Sequence, residues 1–188
     1  MNILIAGVMI WIIAHLVPSV ARGPRQGLVD RLGPGLYRGL FSLIIVTALV
    51  LIVVGWRSTP EQYLYVLPPW SRLLGFVLMF IAFVLLGAAH YKSAIKQAVR
   101  HPMLMGVFVW SLGHLLTNGT TRALILFGGL GVWALIEMPL INAREGAVEP
   151  AEGPGMAAEL KGVLISAVVF SVMLFLHPYF AGVSPLPW

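Results

Sequence analysis

The chain has 188 residues, of which 59% are hydrophobic and 10% are charged, and its formal net charge is +5. Soluble domains carry about 25% charged residues, so this chain has too few charged side chains to cover a water-soluble globule. It contains no cysteine, which excludes disulfides, thiolate metal ligands, iron–sulfur clusters and haem attached through thioethers.

Six long apolar stretches follow one another along the chain and predict six transmembrane helices. Each is close to the ~20 residues that a helix needs to cross about 30 Å of hydrocarbon. The predicted helices cover residues 2–20, 39–56, 72–91, 103–119, 123–141 and 162–180. We therefore predict an all-α, polytopic membrane helical bundle that forms a single domain over residues 1–188.

Two segments need a separate interpretation. No Lys or Arg precedes the first helix and its positive charges follow it, so we expect it to be retained rather than cleaved as a signal peptide. The longest polar segment, Asn142–Lys161, is acidic and rich in Gly, Pro and Ala, which is typical of a flexible linker.

Positive charges are unevenly distributed between the loops. Nine of the twelve Lys and Arg residues lie after the first, third and fifth predicted helices. They are Arg22, Arg25, Arg31, Arg38, Lys92, Lys96, Arg100, Arg144 and Lys161. Because positive loops stay on the cytoplasmic side, this excess predicts that both termini lie outside the cytoplasm. Contact with the anionic surface of the lipid bilayer explains the basic composition better than nucleic-acid binding does.

Two histidines lie inside apolar spans. An unsatisfied ring nitrogen is costly there, so His15 and His114 each need a hydrogen-bond partner, a metal or a cofactor. His114 lies one turn from both Trp110 and Asn118, and the Asn118 amide is predicted to fix its tautomer by a hydrogen bond. On one straight helix His101 and His114 would be about 20 Å apart, so they cannot share a metal ion.

The other candidates lie nearer to helix ends, where a structural role is expected. His90 and His177 are interpreted as interfacial residues, His101 as the cap of the helix that follows it, and Glu137 as a protonated or salt-bridged carboxyl. As an alternative, His15, His90, His101 and Glu137 could form a cytoplasmic-side site for zinc, iron or copper.

Glycines are spaced for close packing on two of the predicted helices. Gly106 and Gly113 are seven residues apart and share a face, which predicts the close approach of a neighbouring helix or a flat cofactor. Gly128, Gly129 and Gly131 predict the same for the fifth helix.

The stretch from Arg100 to Gly119 reads RHPMLMGVFVWSLGHLLTNG and resembles the NnrU family of bacterial membrane proteins, which shows RHPML-x-G…W…AHLLANGD here. The similarity spans nearly the whole chain. Gly113 stands where Ala is usual, and Thr120 replaces an acidic residue. Matching residues in the first two helices are His15, Ser19, Arg22, Tyr37, Arg38, Phe41 and Ser42.

The resemblance implies a bacterial inner-membrane protein associated with nitric oxide and nitrite metabolism in denitrification. The superfamily includes the 15-cis-ζ-carotene isomerases, which depend on haem b with histidine axial ligands. Their ligand histidines resemble His15 and His114, and their Arg-His-Pro histidine resembles His101. Their cysteine near the second ligand is Ser111 here. The resemblance thus implies haem b bound by His15 and His114, with His101, Trp110 and Asn118 as further cofactor-binding residues.

Helical rise does not favour that pairing, because it places His15 in the inner half of the membrane and His114 in the outer half, about 10 Å apart along the normal. Three classes of function are therefore open. The first is a haem-dependent isomerase or oxidoreductase, and the second is a metal transporter. The third is an accessory or assembly subunit for respiratory or nitrogen-oxide reductase components.

Overall fold

The computed structural model describes residues 1–146 and 155–185, and all regular elements among these residues are helices. The elements are α1 (Asn2–Val20), α2 (Arg22–Ser58), α3 (Trp70–Ala88), α4 (Ile95–Ala98), α5 (Pro102–Leu115), α6 (Thr121–Ala123), a π-helical segment (Leu124–Gly128), α7 (Gly129–Glu145) and α8 (Met156–Ala181). The predicted all-α bundle is confirmed.

Five helical stretches are long and apolar enough to cross a membrane: α1, α2, α3, the continuous helix Thr121–Glu145, and α8. The remaining predicted helix, the fourth (103–119), corresponds to α5, which is apolar but has only 14 residues. At 1.5 Å rise per residue it is about 21 Å long, shorter than the hydrocarbon core.

The early end of α5 has a non-local cause. The prediction ran to residue 119, but the helix ends at Leu115. The segment that follows pairs instead with the loop before α3: Gly119 O accepts from Leu64 N at 2.8 Å, and Tyr65 Oη donates to Leu115 O at 2.9 Å. These hydrogen bonds hold residues 116–119 against the loop before α3, so the helix does not continue through them.

The basic stretch between the first two predicted helices is helical rather than a loop. It forms the first part of α2, and a kink at Gly33 separates it from the membrane-spanning part. Gly33 has φ 78°, a region that favours glycine, and Pro34 then restarts the helix. Within the basic part, Gln26 Nε2 donates to Asp30 Oδ1 at 2.8 Å, a contact at the four-residue helical spacing.

With α5 counted, successive helices alternate in direction along the chain, as the prediction requires. In space each packs on its neighbour in the order α2, α1, α7, α5, α3, α8, and the neighbours α1 and α7 run in the same direction. We call the end that contains Leu4, Trp56 and Ala181 the Trp56 end. There Trp56 Nε1 donates to Ala181 O at 3.3 Å, so both described chain ends lie at the same end of the bundle. The opposite end, at Ser19 and His101, we call the His101 end. Which end faces the cytoplasm stays a prediction.

Arg122 closes the Trp56 end. It is buried, its guanidinium lies 4.4 Å from the ring centre of Trp56, and it donates to the carbonyls of Trp56 and Thr59 at 3.3 Å. It also forms an ion pair with Glu61. One side chain thus joins the start of α6 to the end of α2.

Glycines stand at the helix crossings, and the predicted close approach at Gly106 and Gly113 is confirmed. A methyl group at Gly113 would lie 3.2 Å from the carbonyl oxygen of Gly75 in α3, and one at Gly106 would lie 2.9 Å from Leu86 Cγ. Gly131 of α7 meets α5 in the same way.

The predicted linker Asn142–Lys161 is helical at both ends, because α7 continues to Glu145 and α8 begins at Met156. Residues 147–154 within it lie outside the described residues.

Candidate functional site

A cavity of about 780 Å³ lies between α1, α3, α5 and α7, towards the His101 end. This volume is within the range of small-molecule and cofactor sites. The aromatic and ionisable residues of its wall include Trp11, His15, His101, Trp110, Trp133 and Glu137. Three predicted cofactor-binding residues, His15, His101 and Trp110, are therefore brought together, whereas His114 and Asn118 do not line the cavity.

His15 presents one ring nitrogen for coordination. Its Nδ1 lies 2.8 Å from the carbonyl oxygen of Trp11, and because a carbonyl only accepts, Nδ1 carries the proton. Nε2 then has a lone pair, and in the described part of the chain no hydrogen bond occupies it. Histidines that bind metals commonly donate their other ring N–H to a carbonyl in this way.

Aromatic rings hold the His15 imidazole in place. Its ring centre lies 4.3 Å from that of Trp11, 5.0 Å from that of Trp133 and 5.8 Å from that of Phe41. These contacts bring α1, α2 and α7 together around one side chain. Neither Trp11 nor Trp133 was predicted from the sequence to be a site residue.

Glu137 is the acidic group of the wall, with only 5% of its surface exposed. Ser19 Oγ donates to Glu137 Oε1 at 2.6 Å, and Arg144 Nη1 lies 3.5 Å from Ser19 Oγ. The other carboxyl oxygen, Oε2, has no partner in the described part of the chain, and neither have the indole N–H groups of Trp11 and Trp133. An unsatisfied buried group costs about 1–3 kcal/mol, so three such groups around one cavity are unusual.

A spacing in the sequence could have indicated this wall. Tryptophan stands four residues before an ionisable residue on three helices, which places both side chains on one face. The pairs are Trp11 with His15, Trp110 with His114, and Trp133 with Glu137.

His101 stands at the predicted cap position, directly before α5, but its side chain makes no capping hydrogen bond. Instead Nε2 lies 2.7 Å from Asn142 Oδ1. The side chain thus ties the start of α5 to the last turns of α7 at the mouth of the cavity.

His114 lies in a separate aromatic environment. Nδ1 lies 3.0 Å from Trp110 O, the ring stacks on Phe127 at 4.1 Å, and His177 is 6.3 Å away. The predicted hydrogen bond from Asn118 is wrong. Because α5 ends at Leu115, Asn118 is beyond the helix, and its Oδ1 accepts from the residue-120 backbone N–H and hydroxyl.

Thr120, which stands where the family pattern has an acid, caps α6. Its hydroxyl oxygen accepts from Ala123 N at 3.3 Å. Asp and Thr are both favoured at this helix position, so the exchange preserves the capping chemistry, and Thr120 does not line the cavity.

The neighbours of the two predicted axial ligands indicate their separation. His15 contacts Trp133, and His114 contacts Phe127, six positions earlier along the same continuous helix. Six residues correspond to about 9 Å of rise, which agrees with the depth estimate from the sequence. Their pairing on one iron stays a prediction.

No assembled metal site is seen among residues 1–146 and 155–185, where no group of three or more His, Cys, Asp or Glu side chains is placed to hold a metal ion. Of the alternative metal set, His15, His101 and Glu137 line the cavity. His90 is exposed beyond α3 and does not line it.

The helices and their apolar surfaces define a multi-pass integral membrane protein that contacts the lipid bilayer. The chain matches the NnrU protein family over residues 3–185, nearly its whole length, and it belongs to this family. Comparison with curated proteins and with solved structures gives no match.

Proposed function

We propose that this NnrU-family protein binds haem b non-covalently in the cavity, with His15 as one axial ligand. The observation that carries the proposal is the His15 ring in the cavity wall, with Nδ1 bonded to Trp11 O. That bond leaves Nε2 for iron.

The donor set fits the group. The chain has no cysteine, so iron would take nitrogen, methionine or oxygen ligands. Large aromatic side chains, Trp11, Trp110 and Trp133, line the cavity and offer flat apolar surfaces to a macrocycle. Bound haem would supply one-electron redox chemistry or a Lewis acid for a small or lipophilic substrate.

Two histidines compete as the second ligand. The family resemblance favours His114, whereas position in the cavity wall favours His101. The resemblance also supports a role in nitric oxide or nitrite metabolism, or a related isomerase reaction, in the bacterial inner membrane. The distribution of Lys and Arg between the loops supports both termini in the periplasm.

The test is the absorption spectrum of protein purified from haem-replete cells. We expect a Soret band with low-spin features, which His15→Ala abolishes or converts. Loss with His114→Ala or with His101→Ala identifies the second ligand. His177→Ala is the matched control, because His177 lies outside the cavity wall and its Nδ1 is bonded to Val183 O at 2.7 Å.

Two results would contradict the proposal: no Soret band in the wild type, or a spectrum unchanged by His15→Ala. The first result would favour the accessory-subunit interpretation.

A further inference from the structure

The side chains that line the cavity differ between its deep part and its mouth. Trp133 and Glu137 line it on successive turns of α7, and Trp11 and His15 do so on α1. Both helices run towards the His101 end, since Trp133 contacts His15 and Glu137 is bonded to Ser19. The tryptophans therefore form the deep part of the cavity.

Cationic side chains lie at the mouth. Lys96 of α4 and Arg100 both line the cavity. Arg100 donates to the carbonyl oxygen of Gly146, the residue directly after α7, which fixes its level at the end of that helix. A guanidinium has five N–H donors, so this bond leaves others for a ligand.

The described carboxylates nearest the mouth have partners of their own. Glu145 is bonded to Arg144 at 2.7 Å and does not line the cavity, although the charges of His101 and Arg100 also act on it. Glu159 of α8 accepts from the Ser93 hydroxyl and the Ala94 N–H, in the connection that carries Lys96. Glu137 lies nine positions before Gly146, about 13 Å deeper along α7, where it accepts from Ser19.

Two residues of the wall also carry unpaired buried polar atoms. Glu137 and Trp133 are each more than nine-tenths buried, and Glu137 Oε2 and Trp133 Nε1 have no partner among the described residues. Unpaired buried polar groups of this kind are rare in folded proteins, and two of them belong to residues of this one wall.

From this gradient we infer that the cavity binds an amphiphile with a carboxylate head group. Lys96 and Arg100 bind the carboxylate at the mouth, and the apolar body lies against Trp11 and Trp133, whose rings contact each other edge to face with their centres 6.1 Å apart. The inference deepens the proposed function and, for a porphyrin ligand, rests on it, because haem b carries two propionate carboxylates. A fatty acid has the same chemistry without iron.

The test uses iron-free probes and the full chain in nanodiscs of phosphatidylcholine, which adds no net negative charge. Protoporphyrin IX is compared with its dimethyl ester, and a pyrene-labelled fatty acid with its methyl ester. Fluorescence is referenced to empty nanodiscs. Charge-assisted hydrogen bonds are the strong ones, so for at least one pair we expect the acid to bind about tenfold more tightly than the ester.

Lys96→Ala with Arg100→Ala should remove this preference, and Lys96→Arg with Arg100→Lys should retain most of it. Lys92→Ala is the matched control: Lys92 is an exposed cation of the same loop, but it does not line the cavity. Size-exclusion chromatography checks that each variant stays monodisperse.

Equal binding of acid and ester in both pairs, or no binding of any probe, would overturn the inference. So would an equal loss of preference in Lys92→Ala, which would assign the effect to general surface charge. A fatty-acid preference that depends on Lys96 and Arg100, without porphyrin binding, would support the inference and count against the haem proposal. A His15-dependent Soret band without any preference for the acids would support the haem proposal and overturn the inference of a carboxylate site.

Discussion

Substitution of glycine by alanine is expected to have opposite effects on stability at two positions of α2, Gly55 and Gly39. A methyl group at Gly55 would meet the backbone of Leu4, which is fully buried in α1. A methyl group at Gly39 would meet nothing within 4 Å. Both glycines are helical, so helix propensity favours alanine at each position.

The surroundings of each glycine determine the expected change in the free energy of unfolding. In an open helical position, Gly→Ala stabilises by about 0.4–1 kcal/mol, which is the expectation for Gly39→Ala. For Gly55→Ala the obstacle is backbone, so α1 and α2 must separate; overpacking of this kind costs about 1–3 kcal/mol and outweighs the propensity gain. The two variants should differ by about 2 kcal/mol, or roughly 4–8 °C in Tm for a chain of this size.

Thermal unfolding of both variants in the same nanodiscs measures the difference. Gly7→Ala is a second test of the same contact, because its methyl group would lie 2.8 Å from the backbone nitrogen of Ile52. Since α1 carries His15, loosening of this crossing should also broaden any haem spectrum. Equal Tm values for Gly55→Ala and Gly39→Ala would refute the close packing of α1 on α2.

Three further predictions concern the site, the α3–α5 contact and the orientation. Ser19→Ala removes the donor to Glu137 and should cost about 1–3 kcal/mol in thermal unfolding, because a buried acceptor is left without its partner; an equal loss in a Glu137→Gln background would show that the two are not coupled. Gly113→Leu should lower stability by ~1–3 kcal/mol through overpacking against α3, and wild-type stability would show that this face meets lipid. Alkaline phosphatase fused after Trp188 should be active, whereas activity only for a fusion within residues 142–161 would reverse the orientation.

The membrane-spanning helices were predictable because each depends on a local property, a long run of apolar residues. The departures have other causes. The basic part of α2 was assigned to a loop because its charges interrupt the apolar run, although charged residues are compatible with a surface helix. The end of α5 depends on hydrogen bonds to Leu64 and Tyr65, about fifty positions away, which no local pattern reveals.

The site was predictable only in part. The two buried-span histidines were recognised as ligand candidates because an apolar span must satisfy their nitrogens. The wall partners Trp11 and Trp133 were missed, although their four-residue spacing to His15 and Glu137 is visible in the sequence. That these faces meet at one cavity follows from the packing of α1 on α7, which is a tertiary property.

The two Trp-x-x-x-His pairs show which property of a histidine depends on the helix alone and which depends on the packing of the bundle. In both, the histidine Nδ1 bonds the tryptophan carbonyl four residues earlier, so helical geometry alone sets the tautomer. Whether a ligand can reach Nε2 then depends on the side chains that surround each ring. Around His15 the neighbours leave a large cavity, whereas His114 is stacked on Phe127 and has no share of the cavity wall. The local sequence thus sets the tautomer that leaves Nε2 of both rings without a proton, and the packing of the bundle places His15, but not His114, in the cavity wall.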